Sequence, residues 1–257
     1  MKPTPYPNVN AVLEILLQRQ QAIFGDKLIG LYLYGSTALG AFTDGISDLD
    51  LLAALTSDLT PAEAAAIEQM HAQIVAELPE WNNRIEVQYY SVHALATFKT
   101  ERHPMGNISP GEPFHIIEAG ADWLMNWYHV LTSGITLYGV PPATIIAPVT
   151  TDEFITSITT MLLDWDGGYL DHIQSRPAQA YVIITLCRGL YTLRHRQHVS
   201  KQAAAEWAMA AYPAWAALIS HALTWRLDPG AVVDHAATLP ETLRFVSFMW
   251  GEIRAAL

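Results

Sequence analysis

Cysteine is almost missing from this sequence: Cys187 stands alone among 257 residues. One thiol excludes an internal disulfide and a cysteine-rich zinc site. It follows the apolar run Tyr181 to Leu186 and reads as a small core residue. Charge is also sparse, at 15% of residues, but 51% are hydrophobic, so the chain has a core to build and is not disordered. Positive charge is the scarcest kind: 14 Lys and Arg stand against 25 Asp and Glu, a net charge of −11. Such a surface repels nucleic-acid phosphates and steers cations inward, although it also serves solubility alone. No apolar run approaches the roughly 18 residues that span a bilayer. The Pro-rich opening MKPTPYPNVN lacks the roughly 7–15-residue apolar stretch of a signal peptide. A cytoplasmic monomer without nucleic-acid or membrane partners is expected.

Hydrophobic periodicity divides the chain. Asn10 to Phe24 carries Val12, Ile15, Leu16 and Ile23 near helical spacing. Leu28 to Tyr34 and Leu49 to Leu55 are short apolar runs of the buried-strand type. Thr60 to Leu78 opens with Thr60-Pro61 and an acid at Glu63, which predicts a capped helix. Arg84 to Ser91 alternates as a strand. After Gly139 the segment with Pro141, Pro142 and Pro148 reads as a linker, and only helical periodicity follows: 152–164, 178–195, 201–211, 215–225 and 240–256. The expected fold class is α+β: a mixed sheet with helices over residues 1–149, then an all-α helical bundle over 150–257.

The chemistry lies between Leu31 and Leu55. An apolar strand runs into Gly35-Ser36, and twelve residues after Ser36 comes Asp48-Leu49-Asp50. Side chains alternate along a strand, so Asp48 and Asp50 share a face while Leu49 and Leu51 enter the core. Two adjacent carboxylates repel each other, and a divalent cation with oxygen preference relieves that cost. Mg²⁺ is commonly held by one or two carboxylates plus substrate phosphates, and two ions can clamp an in-line displacement. Gly35 lets backbone approach a phosphate, and Ser36 opens the next helical turn. Glu86, between Ile85 and Val87, leaves the core on the polar face and can act as third metal ligand or as general base. Gly-Ser, Asp-x-Asp or a strand Glu alone is a weak signal; the ordered set is specific.

That set resembles the DNA polymerase β-type nucleotidyltransferase superfamily. Over nearly its full length the chain is similar to the aminoglycoside adenylyltransferases that modify streptomycin and spectinomycin. The resemblance rests on LYLYGS, SDLDLL, Leu137-Tyr138-Gly139-Val140-Pro141, TLCRGLYT, Val199-Ser200-Lys201, Ala205-Glu206-Trp207-Ala208 and FVSFMWGEI. It implies an enzyme moving AMP from ATP to a drug hydroxyl with Mg²⁺, two ions in all. Gly35, Ser36 and Ser47 would hold the triphosphate, Asp48 and Asp50 the metal, and Glu86 would be the base. Lys201 would reach the triphosphate from the helical domain. Trp165, Asp166 and Asp171 are counterparts of the family's drug-gripping residues. Where the family has an aromatic after Gly-Glu, this chain has Gly111-Glu112-Pro113, with Glu112 left as an anionic contact for a cationic aminoglycoside.

Ten histidines include His71, His93, His103, His115 and His129, without helical or short-loop metal spacing, so no zinc site is expected. Two alternatives stand beside the main reading. One is the same chemistry on another small-molecule or protein hydroxyl; the other is a silent nucleotide-binding regulatory module.

Overall fold

A computed structural model describes residues 2–166, 173–227 and 236–257. The chain divides into two compact units, Met1–Thr150 and Thr151–Leu257. Among the described residues, no helix is long and apolar enough to cross a membrane.

The first unit opens with α1 (Pro7–Phe24), then β1 (Leu28–Tyr34), the short turn α2 (Gly35–Ala38) and β2 (Leu49–Leu55). Helix α3 (Pro61–Glu77) leads to β3 (Ile85–Ser91). The expected cap is present: the Glu63 amide donates to the Thr60 hydroxyl (3.3 Å) and the Thr60 amide to the Glu63 carboxylate (2.7 Å). After α4 (Val92–Thr97) come the hairpin β4 (His103–Ser109) and β5 (Glu112–Ala119), α5 (Leu124–Ser133) and β6 (Ile135–Gly139).

Six strands among the described residues form one sheet in the order β5-β4-β3-β2-β1-β6. Only β2 and β3 run parallel, joined through α3; the other pairs are antiparallel. One face buries Leu31, Leu33, Leu49, Leu51, Val87 and Tyr89 against Val9, Val12, Leu16, Ile67 and Ile74 of α1 and α3. The opposite face carries Tyr34, Asp50, Glu86 and Gln88, and there Tyr90 stacks on Trp127 of α5 (5.8 Å between centroids). Strands β1 and β2 are buried along nearly their whole length, which is why they read as nearly unbroken apolar runs.

The proline-bearing segment after β6 packs within the first unit. Gly139 closes β6, Pro142–Thr144 form a 3-10 turn, Ile146 is buried, and the Ala147 amide donates to the Leu95 carbonyl (2.9 Å). Proline suits a tight turn as well as a linker.

In the second unit the described helices are α6 (Thr151–Leu163), α7 (Arg176–His195), α8 (Lys201–Ala211), α9 (Ala216–Leu227) and α10 (Leu239–Ala255). Helix α7 touches each of the other four. Its Val182, Ile183, Ile184, Leu186, Cys187 and Leu190 are buried, as expected of a helix apolar nearly all round. Buried Gln179 accepts from the hydroxyls of Thr238 (2.8 Å) and Thr242 (3.0 Å), and Trp250 Nε1 donates to the Leu162 carbonyl (3.0 Å), tying α10 to α6. Burial pushes the Cys187 thiol up to about 12, so it is an inert core group.

Candidate active site

Strand register assembles the acids. Asp50 is opposite Tyr34 on β1 and opposite Glu86 on β3. Asp48, just ahead of β2, joins them, and ligand atoms of Asp48, Asp50 and Glu86 all lie within 4.8 Å of one another. Burial first, then the Asp48 charge, pushes the Glu86 carboxyl up to about 7, with Glu112 adding a smaller push in the same direction. Three hard oxygen donors at this separation suit a divalent cation with Mg²⁺-like preferences.

Gly35 allows a close approach by Asp50. Its φ is +70°, and a Cβ there would land on the Asp50 carboxylate. Glycine therefore makes room for an acid as well as permitting the turn. Ser36 follows, with its Oγ buried and bonded to no described residue; a buried hydroxyl of this kind is costly unless something fills its place. Ser47 is buried too, and its Oγ accepts the Thr43 amide (2.9 Å). Its carbonyl takes Arg84 Nε (3.0 Å) and Nη2 (2.8 Å), while the guanidinium lies over Trp81 (4.7 Å). Arg84 thus anchors the turn that delivers Asp48.

A hydrogen-bond relay lies behind Glu86. Gln88 Nε2 donates to Glu86 Oε1 (3.0 Å) and to Asn107 Oδ1 (3.2 Å). Gln88 Oε1 accepts from the Tyr34 hydroxyl (2.7 Å), which in turn accepts from Asn126 Nδ2 (3.1 Å). The carboxylate fixes the amide orientation, since a carbonyl oxygen turned toward Glu86 would be repelled. Burial, and then the Glu86 and Asp50 charges, hold the Tyr34 hydroxyl well above its usual pKa, so it stays a donor. The only sequence signal was Gln88 two places after Glu86, on the same strand face. Gln88→Leu should leave the Tyr34 O–H without its acceptor and Asn107 Oδ1 without its Gln88 donor, and lower stability by about 2–5 kcal/mol, against about 1–3 for Tyr34→Phe. Urea unfolding of the two variants measures this; equal stability to wild type would mean the relay is dispensable.

Glu112 begins edge strand β5, exposed, with its charge felt at Glu86. Phe114 turns inward, edge-on to Tyr89 at 6.3 Å, and is not a surface ring. In the second unit Trp165 is buried, its ring 6.1 Å from Tyr181. Asp166 ends the 3-10 turn Asp164–Asp166, and Asp171 lies outside the described residues. Lys201 is the first residue of α8, after the Ser200 hydroxyl that caps it by accepting the Ala203 amide (3.1 Å).

Comparison with known proteins bears on both units. Residues 144–252 match the family model of the aminoglycoside adenylyltransferase C-terminal domain. A crystal structure of spectinomycin adenyltransferase AAD(9) from Enterococcus faecialis with ATP and spectinomycin aligns at a TM-score of 0.73 and 16% identity, over 94% of this chain and 98% of that one. That likeness is one of fold: a mixed sheet with helices, followed by a helical region. Two toxin–antitoxin structures, one with AMP-PNP and one of MntA–HpeT, cover 61% and 62% of this chain and 91% of theirs. Both are 12% identical, with TM-scores of 0.31 and 0.28, and carry no weight.

Proposed function

From the match of residues 144–252 to the aminoglycoside adenylyltransferase C-terminal domain, we propose that the chain is a nucleotidyltransferase of that family and moves AMP from ATP to a hydroxyl of an aminoglycoside, releasing pyrophosphate. The observation that carries this reading is the convergence of Asp48, Asp50 and Glu86 on adjoining β2 and β3. Asp48 and Asp50 are the residues that would hold Mg²⁺, and the oxygen-only donor set fits that ion. Bound there, the metal supplies charge neutralisation for the phosphates.

The chain's own groups do the rest. Glu86 takes the proton from the acceptor hydroxyl. The freed oxygen forms a bond to the α-phosphorus while the bond from that phosphorus to the bridging oxygen breaks, and its electron pair leaves with pyrophosphate. A carboxyl whose pKa is raised to about 7 is a better base near neutrality than an ordinary one. Gln88 holds Oε1 and leaves Oε2 to receive the proton. Gly35, Ser36 and Ser47 bind the triphosphate, Ser36 through its buried Oγ. Lys201 adds a cation at the first position of α8, where the helix dipole already favours an anion and disfavours a lysine on its own. Glu112, Asp166 and Asp171 attract a polycation, and Trp165 supports the segment that carries Asp166. Streptomycin and spectinomycin are the acceptors to try first, the AAD(9) structure with ATP and spectinomycin supporting the latter.

Pyrophosphate release from ATP and Mg²⁺, measured across a panel of aminoglycosides, tests this. Release is expected only when an aminoglycoside is present, and should weaken with ionic strength as charge attraction is screened. No release with any of them at any salt concentration would remove the acceptor assignment.

A further inference from the structure

A second cluster of metal-binding side chains lies in the first unit, away from the acids. His93 is in the first turn of α4, His103 begins β4, and Glu101 sits in the connection between them. Ligand atoms of all three lie within 4.8 Å of one another. His103 Nε2 is 3.3 Å from Glu101 Oε2, His93 Nε2 is 3.8 Å from the same oxygen, and the two imidazole centroids are 5.1 Å apart. Glu86 is near the start of β3 and His93 follows its end. The seven residues of β3 span about 20 Å, so the two clusters occupy opposite ends of the sheet.

We propose that His93, Glu101 and His103 form a site for Zn²⁺ or a chemically similar borderline divalent ion, distinct from the oxygen-only cluster of Asp48, Asp50 and Glu86. Two imidazoles and one carboxylate select for such an ion over Mg²⁺, which prefers oxygen alone. Tetrahedral zinc, with bonds of about 2.0–2.2 Å to nitrogen and oxygen, sets its donors roughly 3.3–3.5 Å apart. The pair His103–Glu101 is already at that spacing, and His93 needs to close by a fraction of an ångström. It is free to do so: its side chain is 70% exposed, and that of Glu101 is 52% exposed.

The connection is built to hold the third ligand still. The Thr100 and Glu101 amides donate to the Thr97 carbonyl (2.9 and 3.0 Å), and the Thr97 hydroxyl donates to the His93 carbonyl (3.0 Å). His103 is the most buried of the three side chains, at 14% exposed. Its Nε2 lies 2.7 Å from Thr97 Oγ1, an interaction that the ion replaces while Thr97 keeps its bond to His93. Neighbouring Arg102 is turned onto Asp122 (3.1 and 3.2 Å) and does not take the Glu101 carboxylate away. Three protein ligands leave one tetrahedral position for water, and the ion staples the first turn of α4 to the entry of β4.

Calorimetric titration of ZnCl₂ into the metal-free full-length chain tests the site. An Asp50→Asn background weakens the acid cluster, which would also accept Zn²⁺. One Zn²⁺ per chain should persist in that background. Affinity should fall at least about tenfold in His93→Ala and in Glu101→Gln, and a large excess of Mg²⁺ should not displace the ion. Both substitutions are at exposed side chains, and matching metal-free melting curves verify that the fold is intact. Co²⁺ should give the intense visible absorption of a four-coordinate site, lost in His93→Ala. Zn²⁺ affinity equal in wild type and both variants, or ready displacement by Mg²⁺, overturns the proposal.

Discussion

Asp50→Asn should abolish adenylyl transfer while leaving the protein folded. Asp50 sits between Tyr34 and Glu86 in the sheet and has its space reserved by Gly35. The amide keeps the shape but loses the charge and most of the metal affinity. Metal stabilisation of transferred phosphate is worth several kcal/mol, so turnover should fall on the order of 10³-fold or more. Stability should not fall with it, because the substitution removes one of three mutually repelling carboxylates. Pyrophosphate release and thermal melting of the same preparation measure both halves. Turnover within about tenfold of wild type would take Asp50 out of the metal site.

Glu86→Gln should lower the rate while raising stability above neutrality. Gln accepts the Gln88 hydrogen bond as the carboxylate does but cannot take a proton, and loss of a general base costs roughly 10²–10⁴-fold in rate. Burial and Asp48 raise the Glu86 pKa from 4.5 to about 7 in the metal-free fold. A carboxyl raised in this way binds protons more tightly folded than unfolded. Its contribution to stability is therefore complete below pH 4.5 and is lost as pH rises toward about 7. The shift corresponds to at most about 3–4 kcal/mol. Above neutrality the metal-free Gln variant should melt several degrees higher than wild type, and the difference should vanish at acid pH. Calorimetric titration of Mg²⁺ and ATP then decides the second role. Unchanged affinity leaves Glu86 a base alone, and weakened affinity makes it a metal ligand also. A rate equal to wild type removes it from the mechanism.

Much of this site was legible in the linear sequence because strand alternation is a local rule. Asp48 and Asp50 had to share a face, and Glu86 had to leave the core that Ile85 and Val87 enter. The capped start of α3 and the helices after Thr151 were equally local. The hairpin β4–β5 was not. Pro104, Gly106, Asn107 and Pro113 interrupt any alternation there, and the strands tolerate them because Pro113 is on the edge strand and Pro104 lies beyond the part of β4 that pairs with β3. The relay through Gln88, Tyr34, Asn107 and Asn126 was also hidden, since its members come from four separate elements.

The sequence by itself determined which side chains share a face: strand alternation sets Asp48 and Asp50 on one side and turns Glu86 out of the core through backbone periodicity alone. Tertiary structure decided which of them meet and in what state. Pairing β2 with β3 in parallel places Asp50 directly beside Glu86, and burial, followed by the Asp48 charge that the fold brings close, raises the Glu86 pKa. The same holds for His93, Glu101 and His103, whose spacing follows no ligand pattern until α4 and β4 fold them together. Periodicity is a property of neighbours along the chain, whereas Coulomb energy and desolvation depend on neighbours in space.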